Sequence, residues 1–220
     1  MAAFKLALEL DVPAIELDVH PAIDGTLMVI HDGTVDRTTN GAGAVRDMTV
    51  EKLLNLDAGA KFAPEFAGEK IPTLVDVLNM LEQSNIQLNV EIKASQPSMN
   101  VPRTLVNLLR QFSKQCHYVI SSFSLQALLE VRIIAPEITL ALIGNGPEIL
   151  PQARLNRFPW IHGNFRTVDE QLITQAHADG IRVNIWTMDD PARLAYWRGI
   201  DIDKICTNCP AKMLAAAFQN

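Results

Sequence analysis

The sequence predicts an α/β fold, a TIM-type (β/α)8 barrel that lacks its first strand and carries a small insertion after the second barrel strand. Three observations lead there. From residue 88 onward, short apolar or alternating strands take turns with helical segments, the pattern of a parallel sheet covered by helices. Seven main strands can be counted, which fits a barrel one strand short better than an open doubly wound sheet. The chain also opens on a helix, where a β/α unit should open on a strand.

Residues 2–10 form the opening helix, with Phe4, Ala7 and Leu8 on one face, and Pro13 ends it. Residues 14–19 read as a strand. Asp24-Gly25 marks a turn, and residues 27–30 form the strand that follows it. Residues 31–44 are rich in Gly, Thr, Asp and Asn and read as loop, 49–56 as a short helix, and 58–70 as loop around Pro64 and Gly68. A helix over 73–83 has Thr73 as its N-cap and Asp76 in its first turn. Strands are then expected at 88–93, 118–122, 139–143, 160–164, 182–187 and 202–207. The intervening helices fall at 103–112, 125–134, 148–153, 169–179, 191–198 and 210–218. With no linker, low-complexity tract or short repeat, residues 1–220 read as a single domain, the insertion covering about 32–72.

A chain of 220 residues, 48% hydrophobic and 20% charged, can build one substantial core. A net charge of -6 argues against nucleic-acid binding, which needs a basic face, but leaves room for a phosphate-bearing substrate beside a bound cation. No apolar run has transmembrane length, and residues 1–10 lack the features of a signal peptide, so the expected location is cytoplasmic. The three cysteines, Cys116, Cys206 and Cys209, do not make a disulfide framework. The C-x-x-C of Cys206 and Cys209 has no second pair to complete a zinc site and no helix start between its members, so it reads as two unrelated residues at a strand end.

Two strands carry the chemistry. In A-I-E-L-D-V, Ile15, Leu17 and Val19 share one face while Glu16 and Asp18 share the other. In L-N-V-E-I-K, Leu88, Val90 and Ile92 oppose Asn89, Glu91 and Lys93. The apolar faces pack on helices, so the polar faces point into the barrel near its C-terminal mouth. Three carboxylates converging there repel one another unless a hard divalent cation, Mg²⁺ or Ca²⁺, compensates; the alternative is ion pairing with Lys93. His31 follows the run 27–30 at the same end, where its ordinary pKa suits acid–base work, and His20 shares the Glu16 and Asp18 face at the periphery.

Residues 2–49, N-V-E-I-K at 89–93, I-S-S-F-S at 120–124, V-N-I-W-T-M-D-D at 183–190 and the ending 202–210 together resemble the glycerophosphodiester phosphodiesterase family nearly end to end. The ordered set E-L-D-V, I-H-D-x-T-x-D-R-T-T-x-G, V-E-I-K is the specific part. The resemblance implies a barrel that hydrolyses glycerophosphodiesters to glycerol 3-phosphate and an alcohol. It makes Glu16, Asp18 and Glu91 metal ligands, His31 the acid for the departing alcohol, and Lys93 a phosphate contact. It assigns Phe123 and Trp186 to the substrate pocket, both of which also suit an ordinary core. Asp32, Asp36, Arg37 and Asn40 match the family loop and read as shaping it. The segment after His31 corresponds to the family's insertion, which caps the mouth on the glycerol side. The family's strand ending in His-Arg-Gly, with its other catalytic histidine, is not found, and Asn208-Cys209 stands where Asp-Tyr is usual.

The leading expectation is therefore an enzyme acting on a small glycerophosphodiester, without nucleic acid or a transmembrane segment. Open strand edges beside the absent strand leave room for a homo-oligomer. The rival reading is a catalytically impaired member that binds metal or phosphate. A phospholipase D-type lipid enzyme would need an apolar mouth that the sequence does not display.

Overall fold

The computed structural model describes residues 1–93, 100–112 and 117–218, so Cys116 lies outside the described residues. The strands are β1 (Ala14–Pro21), β2 (Leu27–Val29), β3 (Gln87–Ile92), β4 (Tyr118–Ser122), β5 (Thr139–Gly144), β6 (Trp160–Asn164), β7 (Arg182–Trp186) and β8 (Lys204–Ile205). The helices are α1 (Ala2–Glu9), α2 (Val50–Asn55), α3 (Leu74–Leu81), α4 (Val101–Gln111), α5 (Leu125–Ile134), α6 (Ile149–Leu155), α7 (Glu170–Ala178), α8 (Leu194–Gly199) and α9 (Pro210–Ala217). One sheet runs β2-β1-β3-β4-β5-β6-β7-β8, parallel throughout except for the antiparallel β1–β2 hairpin.

The hairpin forms where Gly25 takes φ +87 and the Asp24 carboxylate accepts from Thr26 N–H, a turn that few other residue pairs tolerate. Helix α3 starts as its sequence indicates: Thr73 and Asp76 satisfy each other's backbone N–H groups in a capping box. The apolar strand faces, Ile15, Leu17, Val19, Leu88, Val90 and Ile92, join the helices in the principal core. The sheet curls far enough for Lys204 on β8 to contact the Gln87 side chain on β3 across the interior. Among the described residues no ladder joins β1 to β8, and β2 covers only the upper end of β1, at Val19–Pro21.

Some elements differ from expectation. The strand expected over 202–207 shortens to β8, because the Asp203 carboxylate takes the Val183 N–H that a longer ladder would use. The helix expected over 191–198 splits into a 3-10 turn, Pro191–Arg193, and α8. The loop expected over 31–44 contains an isolated bridge, Thr34 to Ala44, and leads into a 3-10 turn at Val45–Asp47. The insertion has its own apolar cluster, with Val35, Val45, Met48, Leu53 and Ile71 packed on Met28 and Ile30 of the hairpin.

Candidate active site

Alternation along β1 turns Glu16 and Asp18 to the side opposite the principal core, and the parallel register sets Asp18 beside Glu91 and Glu16 beside Asn89. The three carboxylates, Glu16, Asp18 and Glu91, meet with oxygens within 4.8 Å of one another. Lys93 stands between two of them, its Nζ 2.8 Å from Asp18 Oδ1 and 2.8 Å from Glu91 Oε1. Glu91 Oε1 is buried, and the Lys93 ammonium is its partner. Among the described residues, Asn89 Oδ1 on β3 and Ser121 Oγ, which β4 sets beside Glu91, lack hydrogen-bond partners.

The electrostatics follow from crowding. Glu16 lies in the concave mouth where water reaches its surface, yet protein atoms surround its carboxyl group. Burial first, then the charges of Asp18 and Glu91, push it up to about 8, with mouth water damping the effect. Burial and Asp18 likewise raise Glu91, against the pull of Lys93. Burial alone would lower the Lys93 ammonium, but the two carboxylates outweigh it and hold the group above its usual value. A site of this kind, rich in hard oxygen atoms and short of positive charge, suits a divalent cation.

His31 sits on the rim with an exposed side chain. Its Nδ1 lies 2.7 Å from Asp32 Oδ1, and Arg37 clamps that carboxylate through Nε (2.7 Å) and Nη2 (2.9 Å). Arg37 and then His31 hold Asp32 well below the usual carboxylate range. Asp32 and Arg37, which the sequence suggested were loop-shaping, thus orient His31; the adjacent His-Asp pair was the available signal. His20 Nε2 lies 3.2 Å from the His31 carbonyl oxygen. Phe123 and Trp186 come together edge to face, centroids 5.8 Å apart, and Trp186 Nε1 donates to the His162 carbonyl. Cys206 and Cys209 are free thiols. Burial, then Glu16 and its neighbouring acids, pushes Cys206 up to about 12.

The Glycerophosphoryl diester phosphodiesterase family model matches residues 1–212. The chain belongs to this family. It is 34% identical over 218 residues to a glycerophosphodiester phosphodiesterase of Caldanaerobacter subterraneus, covering 97% of this chain and 89% of that one. A putative glycerophosphodiester phosphodiesterase of Bacillus subtilis is 32% identical, with 96% and 88% covered. Among solved structures, an Oleispira antarctica phosphodiesterase in complex with its product sn-glycerol-3-phosphate superposes with TM-score 0.93 at 24% identity, over 99% of this chain and 90% of the other. A glycerophosphodiester phosphodiesterase from Agrobacterium tumefaciens superposes with TM-score 0.80 at 27% identity, over 96% and 90%. The chain is thus an enzyme of the phosphodiesterase class on the α/β barrel of its relatives. No helix among the described residues is long and apolar enough to cross a membrane.

Proposed function

We propose that this chain hydrolyses glycerophosphodiesters to sn-glycerol 3-phosphate and an alcohol, with Glu16, Asp18 and Glu91 holding Mg²⁺ or Ca²⁺. The observation that carries the reading is the convergence of those three carboxylates beside Lys93. The donor set fits the cation: all oxygen, mutually repelling, and with a single lysine against three carboxylates. The cation, when bound, supplies positive charge against the phosphoryl oxygens.

The chain's own residues account for the rest. Lys93, released from the carboxylates, turns its ammonium to the phosphate, where negative charge grows in the transition state. His31, with Nδ1 held by Asp32, presents Nε2 to the alcohol oxygen and protonates it as its bond to phosphorus breaks and the oxygen of water takes its place on phosphorus. His20 is the first group to test as base. Its Nε2–H donates to the His31 carbonyl in the neutral tautomer, which leaves Nδ1 free to accept a proton. Phe123 and Trp186 give the organic part of the substrate an aromatic corner. In this reading residues 1–220 are one barrel domain capped by the insertion at about 32–72, the enzyme works in the cytoplasm, and the open edges of β1 and β8 bring copies together.

The decisive measurement is release of glycerol 3-phosphate from glycerophosphocholine by metal-stripped protein, with and without added Mg²⁺ or Ca²⁺. Turnover should appear with the cation and vanish in excess EDTA. Full activity in EDTA would overturn the metal assignment, and cation binding without any turnover would favour a binding protein over an enzyme.

A further inference from the structure

A second feature shares no residue with the carboxylate cluster. Between the connection that follows β6 and the segment leading into α8 is a cavity of about 480 Å³ lined by Phe165, Arg166, Val168, Arg193, Tyr196 and Trp197. That volume is in the range of small-molecule sites, and none of its walls belongs to the acidic cluster. Two guanidinium groups converge on one ring: Arg166 Cζ is 5.4 Å and Arg193 Cζ 5.6 Å from the Phe165 centroid.

Like charges brought onto one aromatic ring repel; water screens these exposed side chains in part, and an anion beside both would relieve the rest. Among the described residues Arg166 has no carboxylate partner. Arg193 has Asp190 only at 3.8 Å, longer than a hydrogen bond and between exposed side chains, where such a pair contributes little. Trp197 is 2% exposed, and among the described residues its buried indole N–H has no acceptor. An unpaired buried donor is costly, and the residue that carries it lines a groove edged by two cations. Tyr196, edge to face with Trp197 at 5.2 Å, leaves more than half its surface exposed. The walls are thus cationic and aromatic, in a chain whose overall charge is -6.

We propose that this groove is a second binding site, for a phosphate monoester, its phosphate between Arg166 and Arg193 and its organic group against Phe165, Tyr196 and Trp197. Guanidinium groups match phosphate oxygens in pairs, and the aromatic walls favour an apolar or flat organic group. The proposal stands independently of the reaction assigned to the barrel mouth.

The test is calorimetric titration of the full chain with inorganic phosphate and with phenyl phosphate, in parallel with the indole N–H resonances, Trp197 being assigned by Trp197→Phe. Phenyl phosphate should bind more tightly than inorganic phosphate and shift the Trp197 resonance. Arg166→Ala and Arg193→Ala should each weaken binding at least tenfold without changing the melting temperature. Glu91→Gln, at the acidic cluster, should leave it unchanged, and Arg166→Ala should leave diesterase turnover unchanged. Absence of binding, or binding indifferent to both arginines, overturns the proposal. So does binding lost in Glu91→Gln with its fold intact, or a loss of turnover in Arg166→Ala, since either places the anion at the barrel mouth.

Discussion

His31 owes its orientation to its chain neighbour. A rim histidine with an exposed side chain would ordinarily sample several rotamers, but the Asp32 carboxylate, itself gripped twice by Arg37, restrains the ring through Nδ1. Two substitutions separate role from packing. His31→Ala should cut kcat by roughly 10²–10⁴ with little change in melting temperature, because an exposed ring contributes little to the core. Asp32→Asn keeps the shape but weakens the hold on the ring, and should lower kcat by a smaller factor while KM changes little. Steady-state kinetics with thermal melts on both variants decide it. A large loss of stability with a small loss of rate would return His31 to a packing role.

At the scale of elements, the mouth depends on how the connection after β7 is tied to the one after β8. Asp189 does this. Its carboxylate accepts from Thr207 Oγ1 at 2.9 Å, Asn208 N at 2.7 Å and Asn208 Nδ2 at 2.9 Å, while Cys209 Sγ approaches the Asp189 carbonyl at 3.3 Å. The backbone adds Met188 N–H to the Cys206 carbonyl and Cys206 N–H to that of Ile185. A two-residue β8 would otherwise be a poor anchor, so side-chain bonds replace a ladder. Asp189→Ala should lower unfolding stability by about 1–2 kcal/mol, the sum of a few partly solvated hydrogen bonds. It should also raise KM if Trp186, at the end of β7, contacts substrate. Urea denaturation with unchanged m-value, alongside kinetics, is the check. An unchanged midpoint would show that the clamp is decorative.

Across the whole molecule, pH acts through groups the barrel buries. His162 on β6 is fully enclosed; burial first and Lys204 second push its pKa down to about 3. In the unfolded chain it titrates near 6.5, so the unfolded state takes up the proton first. Its contribution to stability is complete above pH 6.5 and is lost as pH falls toward 3, by at most about 1.4 kcal/mol per pH unit. In the metal-free protein Glu16 works in the opposite sense. Its folded pKa, raised to about 8, lies above the unfolded 4.5, so its contribution is present below 4.5 and lost as pH rises through 8. The two oppose each other between 4.5 and 6.5, which makes the parent profile shallow there. His162→Gln removes one of them. Denaturation midpoints from pH 5 to 7 should rise with pH less in the variant than in the parent, and identical slopes would contradict the burial of a neutral imidazole.

The sequence by itself determined the alternating elements, the hairpin at Asp24-Gly25, the capping box at Thr73, and which side of each strand Glu16, Asp18, Glu91 and Lys93 occupy. These are consequences of local periodicity and turn chemistry, which operate over a few residues. The ordered motifs around the same residues also revealed the family. Distance between elements is another matter. Only the tertiary structure decided that β1 and β3 pair in the register that sets Asp18 beside Glu91, and that Lys93 bridges them. It also decided that Asp203 truncates β8 and that Arg166 and Arg193 face one phenyl ring. Such contacts arise from the curl of the sheet and the packing of its helices, which no short stretch of sequence encodes.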